Sequence, residues 1–284
     1  MWGLASSCIS EDYSDCSNRY VVNLSYVGDG TKEIFLDKIG SAQMYIFDGK
    51  SSCIYQAALR EDEIAHQQTM LPPLEEGDYH IVFVANPYDT EIKDISTRTS
   101  LSDLCFGAES YWAGRETSGN DSLYWAALDQ KIEAFVSDRP VTYSTAYFAS
   151  SHYDVSVEIV GAPSVPTIVL KGVSPYTDFD NVATAAESAD YVLDAKHDGF
   201  STVIAGCNIL RHQNHESVYL KVLGADGDEM VSINFAEFLR ENKEYIDCSK
   251  NEVLIPFKIE FRSLSDVEVT VPDWLVTHVK PDFG

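Results

Sequence analysis

The chain has 284 residues, 45% of them hydrophobic and 12% aromatic, which is the composition of a folded globular protein long enough for two domains with a core each. Its 45 acidic against 20 basic residues give a net charge of -25, which repels phosphate backbones, excludes nucleic acid as a partner and favours solubility. No apolar run approaches the roughly 18 residues of a membrane span, and the six cysteines, Cys8, Cys16, Cys53, Cys105, Cys207 and Cys248, include no CxxC pair of the kind that holds zinc or forms a redox disulfide.

In chain order, Leu4-Ala5-Ser6-Ser7-Cys8 comes first, with Glu11-Asp12 shortly after the cysteine. The run resembles the end of a bacterial lipoprotein signal, in which that cysteine carries the lipid, and the two acids resemble the signal that sends Bacteroidetes lipoproteins to the cell surface. Met1 to Ser7 carries no Lys or Arg and lacks the usual apolar stretch of roughly 7–15 residues, so the expectation is a start further upstream or a trimmed leader. The alternative is an ordinary cysteine near a chain end.

Tyr20 to Val27 reads as a strand closed by the turn cluster Gly28-Asp29-Gly30. Ser41 to Phe47 alternates, with Ala42, Met44 and Ile46 on one face and Tyr45 and Phe47 on the other. Asp48-Gly49 then turns the chain, since both residues tolerate positive φ, and Ile54 to Leu59 returns it. A glycine turn at Gly77 feeds a strand in which Tyr79, Ile81, Phe83 and Ala85 share a face. Residues 87–122 are polar and turn-rich and read as long loops with one short helix. Ser122 to Ala127 and Gln130 to Val136 read as two strands, with Trp125 in the core.

Ser144 to Ser151 is small and polar and marks a domain boundary, so residues 1–18 form a tether, 19–148 a first domain and 149–284 a second. Tyr153 to Ile159 and Val165 to Leu170 are strands around a Gly161-Ala162-Pro163 turn, Val173 to Asp190 a loop, and Phe200 to Ile204 and Val218 to Val222 further strands. Asn234 to Tyr245 is the helix of the second half, with Asn234 as N-cap, Glu237 in the capping-box position, and Phe235, Phe238, Leu239 and Tyr245 on its apolar face. Val253 to Phe261 and Val267 to Val271 are the closing strands. The pattern predicts an all-β protein of two tandem β-sandwiches with one short helix in the second. With Cys8 lipidated, five cysteines remain, and the preferred pairings are Cys16 with a first-half partner and Cys207 with Cys248.

Several constellations fail as chemistry. His212-Gln213-Asn214-His215-Glu216 lacks the HExxH order, and in a loop its imidazoles are not expected to converge. Asp178-Phe179-Asp180 and Asp226-Gly227-Asp228-Glu229 lack the spaced oxygens of a calcium loop. No nucleophile elbow, Walker loop or dinucleotide fingerprint occurs, so catalysis, a cofactor and a metal are not expected. Tyr111-Trp112 and Tyr147-Phe148 suit a buried seam between domains, or a sugar-stacking surface.

Taken together, Cys8 with Glu11-Asp12-Tyr13-Ser14-Asp15-Cys16, Met44-Tyr45-Ile46-Phe47-Asp48, the Leu74 to Asn86 turn and strand, Asp121-Ser122-Leu123-Tyr124-Trp125 and the closing Val267 to Trp274 segment resemble the fimbrial anchor family of Bacteroidales, the minor fimbrial subunit lipoproteins that accompany fimbrillin. The resemblance implies transthyretin-like, Greek-key sandwiches, a lipid on Cys8, residence on the outer membrane, and a fimbrial shaft or accessory subunit as partner. It further implies assembly by strand exchange, in which one subunit's strand completes another's open sheet. By that logic Glu268, Val269, Thr270 and Val271 are the candidate edge or donor strand, with pairing inside their own sheet as the plainer reading. The cysteines Cys53, Cys105, Cys207 and Cys248 have no place in the family's pattern. A surface glycan-binding lipoprotein is the alternative function.

Overall fold

The computed structural model describes residues 20–93, 100–134, 141–162, 164–197, 201–212, 215–263 and 266–275. Cys8, Cys16 and the predicted tether 1–18 lie outside them, as do Phe135, Val136, Pro163 and Phe200 of the predicted strands and turns. In the first half the elements are β1 (Tyr20–Ser25), α1 (Phe35–Lys38), β2 (Ala42–Phe47), β3 (Cys53–Ala58), α2 (Glu61–His66), β4 (Gln68–Met70), β5 (Gly77–Ala85), β6 (Thr90–Lys93), β7 (Cys105–Ala108), α3 (Glu109–Trp112), β8 (Tyr124–Ile132), β9 (Thr142–Tyr147) and β10 (Ala149–Ser150). The second half gives β11 (His152–Val160), β12 (Thr167–Val173), β13 (Tyr176–Asp178), β14 (Ala189–Leu193), β15 (Lys196–His197), β16 (Thr202–Leu210), β17 (Tyr219–Leu223), β18 (Glu229–Asn234), α4 (Phe235–Glu241), β19 (Leu254–Ser263) and β20 (Asp266–Thr270).

These strands form sheets ordered β4-β1-β9, β10-β8-β5-β2-β3, β15-β16-β11-β19-β20, β14-β12-β17-β18 and β13-β7-β6. Pairing is antiparallel except between β1 and β9 and between β11 and β19. The protein is thus all-β and sheet-rich, with a few short helices and sandwich-type packing.

The alternation read in β2 and β5 has a physical consequence on each face. Ala42, Met44 and Ile46, with Ile81, Phe83 and Ala85, pack against Tyr20, Val22 and Leu24 of β1. Tyr45 and Phe47, with Val82 and Val84, look the other way into a separate core completed by Leu104, Phe106, Leu123, Phe179 and Leu210. At β2 and the second half of β5 both faces of the sheet are therefore dry, which is why these segments are apolar almost throughout.

The cover of that second face corrects the loop assignments. Residues 87–122 contain β6 and β7 as well as the short helix α3, and the predicted loop 173–190 contributes β13, which pairs with β7. Short strands such as Thr90–Lys93 carry too little alternation to be seen locally. Ser122 to Ala127 and Gln130 to Val136 are not two strands: β8 runs unbroken over nine residues, and Trp125 is half-buried, its Nε1 donating to the Phe179 carbonyl at 2.9 Å. The small polar stretch taken as a boundary carries strand structure, β9 through Tyr147 and then β10. At the Asp48-Gly49 turn the positive φ belongs to Ser51, while the Asp48 carboxylate accepts from the amides of Lys50 and Ser52.

In the second half, inward side chains of two sheets merge into one core, with Val155, Val157, Phe257 and Ile259 on one side and Ile168, Leu170, Leu220 and Val222 on the other. Helix α4 starts at the predicted cap, Asn234 Oδ1 accepting from the Glu237 amide at 3.0 Å, and stacks Phe238 on Phe257 at 4.2 Å. No disulfide joins Cys207 to Cys248, and both are free thiols. They face different hollows: Cys207 lines one with Asn120 and Asp154, Cys248 another with Tyr153 and His215. Burial pushes the Cys207 thiol up to about 12, so it is an inert, protonated group.

Candidate assembly interface

Glu268, Val269 and Thr270 lie in β20, the last strand of its sheet, and Val271 follows directly. β20 pairs antiparallel with β19, with Ile259 opposite Val269 and Glu260 opposite Glu268. Val267 and Val269 point into the core and Val271 is buried, while Asp266, Glu268 and Thr270 face outward. Two like charges opposite each other are unfavourable, and Arg262 relieves them by pairing with Glu268. Among the described residues nothing pairs with the far side of β20, so its outward backbone groups form an open edge, guarded by acids in the manner of edge strands that resist indiscriminate pairing. Within this chain β20 pairs with β19 as the last strand of its sheet.

A second edge is open on β8. That strand pairs with β5 along its whole length, but with β10 only through Tyr124 and Trp125. Among the described residues, 126–132 are paired on one side alone.

A third surface is the outer face of β4-β1-β9. The register sets Met70, Val21 and Tyr143 in one row across the strands, Gln68, Asn23 and Thr145 in the next, and Ser25 beside Tyr147. Tyr143 and Tyr147 are 62% and 71% exposed and Met70 56%, while Phe148, the other half of the predicted aromatic pair, is buried. The second predicted pair is engaged: Tyr111 donates to Glu187 at 2.5 Å, and Trp112 stacks on Tyr176 at 5.1 Å with the Lys93 ammonium 5.5 Å from its ring.

Behind these surfaces a polar knot joins the two halves of the chain. The Glu252 carboxylate accepts from Tyr26, Tyr124 and Lys38. Asp29 accepts from the Asn251 amide at 2.8 Å and from the Glu252 amide at 3.0 Å. Burial pushes the Glu252 carboxyl up, but hydrogen bonds from Lys38 and Tyr26 and the charges of Lys38 and His152 outweigh it and hold the group below the usual glutamate range. A depressed folded value means that Glu252 stabilises the fold at neutral pH, and that this contribution disappears as pH falls through the folded value. Glu252→Gln is accordingly expected to cost about 1–2 kcal/mol at pH 7, reduced by partial exposure, and to flatten the acid limb of stability against pH in urea titrations. In sequence Gly28-Asp29-Gly30 reads as a turn alone; its role at the joint has no local signal.

His212 and His215 overturn an expectation, since their rings lie 4.4 Å apart although they sit in a loop region. Burial, with a smaller effect from His212, pushes His215 down to about 4, so its ring packs neutral beside Tyr153 and Phe235. Among the described residues no group of three or more His, Cys, Asp or Glu is placed to hold a metal ion. Asp178 caps its own turn, accepting from Asp180 and Val182 amides at 3.0 and 2.8 Å, and Phe179 between the two acids is a core residue.

A family model described as Fimbrillin-A associated anchor proteins Mfa1 and Mfa2 matches residues 13–280. The fold is similar to that of the fimbrial anchor protein Mfa2 from Porphyromonas gingivalis, with a TM-score of 0.70 at 15% identity over 90% of this chain and 96% of that one. It is also similar to a candidate adhesin from Bacteroides ovatus (TM-score 0.72, 12% identity, 90% of this chain and 94% of that one). A candidate polysaccharide-binding protein from Bacteroides thetaiotaomicron gives a TM-score of 0.68 at 13% identity over 86% of this chain and 91% of that one. No curated protein matches.

Proposed function

We propose a function from one premise: this chain belongs to the family of Fimbrillin-A associated anchor proteins Mfa1 and Mfa2. The protein is a minor fimbrial subunit on the outer membrane, held by a lipid on Cys8, that tethers a fimbria to the cell and limits its elongation. It works by binding and assembly, without catalysis. Its architecture is a tether over residues 1–18 followed by two tandem transthyretin-like sandwiches, 19–148 and 149–284. The observation that carries the reading is the family match across residues 13–280.

Pairing with a shaft subunit proceeds through the edge formed by Glu268, Val269, Thr270 and Val271. An incoming strand added to the open side of β20 satisfies unpaired backbone groups on both partners. Donating β20 outward is the costlier route, because Val269 and the buried Val271 would leave their core.

The test is expression with an upstream signal peptide in a Bacteroidetes host, comparing the parent with Cys8→Ala. The expected result is loss of membrane attachment in the variant, and a fimbrial subunit co-purifying with the surface-labelled parent. Unchanged attachment of the variant with no fibre partner for the parent would overturn the reading.

A further inference from the structure

The outer face of β4-β1-β9 differs from the rest of this molecule. On a chain of net charge -25, the outward positions of three neighbouring strands hold Met70, Val21, Tyr143 and Tyr147 with the amides Gln68 and Asn23, and no charged side chain. The amides bond to each other at 2.9 Å, so the polar row is ordered before anything binds. At the Ser25 end lies one carboxylate, Glu33, which burial pushes up. Hydrogen bonds from Ser25 and from the backbone amides of Tyr26 and Phe35 outweigh that and hold it low and occupied.

The central strand of this face is also the one on which the tether ends. β1 begins at Tyr20, twelve positions after Cys8, and a chain of that length spans at most about 40 Å. A lipid on Cys8 therefore confines the start of β1 to within about 40 Å of a bilayer surface. Charges more than about 8–10 Å from an anionic surface are screened, so what meets the membrane is decided by the local face and not by the total charge. Exposed tyrosines with an apolar body and a polar tip suit the headgroup layer, and the methionine and valine between them suit a shallow apolar contact.

We propose that the Met70-Val21-Tyr143 row and Tyr147 dock on the lipid surface in which Cys8 is anchored, fixing the orientation of the subunit on the membrane. The inference rests on lipidation of Cys8. A second copy is the weaker occupant, because nothing holds it near this face, whereas a lipid on Cys8 keeps the face near the bilayer. The tether turns docking into an intramolecular event, so a few shallow contacts suffice.

The experiment uses the lipidated full chain in phosphatidylcholine vesicles. Tyr143→Trp and Tyr147→Trp are compared one at a time with the parent, with and without lipids brominated near the headgroup. Both sites are exposed, so the ring exchange is compatible with folding. The expected result is co-flotation with vesicles and at least a twofold loss of the added tryptophan emission, falling away when Tyr147→Trp is combined with Tyr143→Glu. Co-flotation without quenching overturns docking and leaves the anchor intact. Failure to co-float overturns both. Quenching by a neutral polysaccharide in place of brominated lipid, or a concentration-dependent dimer in sedimentation, reassigns the face and overturns the proposal.

Discussion

Phe179→Ala is expected to lower the unfolding free energy by about 3–5 kcal/mol, the range for emptying a buried aromatic site. Phe179 is 1% exposed and meets the edges or faces of Tyr45 at 5.2 Å, Phe47 at 5.9 Å and Phe106 at 5.8 Å. These neighbours lie on β2 and β7, whereas Phe179 follows β13, so with Leu210 it brings the second half of the chain into the core under the first-half sheet. The cavity left behind cannot collapse easily, because Tyr45 and Phe47 are fixed by strand pairing with β3 and β5. Urea titration followed by near-ultraviolet circular dichroism measures the loss. Trp125 fluorescence reports the same site, since its Nε1 donates to the Phe179 carbonyl. A change under 1 kcal/mol would mean that the core closes without this ring.

Gly172→Ala is expected to cost about 3 kcal/mol, by adding two separate penalties. Gly172 has φ +79, a left-handed conformation that an L side chain resists by about 1–2 kcal/mol. A Cβ there would also stand 2.3 Å from the Ser217 carbonyl oxygen, a backbone atom in the turn before β17 that must shift to make room. The glycine sits where the β12–β14 register slips between Leu170 and Val173, so it supplies the kink of a bulge. Gly227→Ala separates the two penalties, because Gly227 has φ +84 with no atom within 4 Å of the added carbon. Thermal unfolding of both variants should show a clearly larger drop for position 172. Equal drops would assign the whole effect to backbone conformation.

Much of the architecture was legible one segment at a time. Alternation in Ala42–Phe47 and Gly77–Ala85 assigned each side chain to the face on which it is found, because strand periodicity is fixed by the backbone pleat. The cap of α4 was legible for the same reason: Asn234 and Glu237 are three residues apart and meet whatever surrounds them. The closing strand was legible as an edge candidate, and the family could be identified from motifs in order along the chain.

The misses share a cause. β6, β7 and β13 are short and weakly patterned, and they are strands because they cover Tyr45, Phe47, Val82 and Val84, a demand set by residues far away in the chain. Cys207 and Cys248 were the preferred pair in the second half, yet the paths of β16 and of the segment after α4 carry them into different hollows. His212 and His215 lie 4.4 Å apart between β16 and β17, a contact that no local rule anticipates.

By itself, then, the sequence determined the strand class, the facing of side chains in β2 and β5, the helix cap, the acidic surface and the family, which depend on composition, on neighbours within a few residues or on motifs in order along the chain. Only the tertiary structure decided the parallel pairing of β1 with β9, the closure of the second core by Phe179, the joint at Asp29 and Glu252, and the uncharged tyrosine face above β1. Each of these brings together residues separated by tens to hundreds of positions, and its energy exists only after the loops between them have closed.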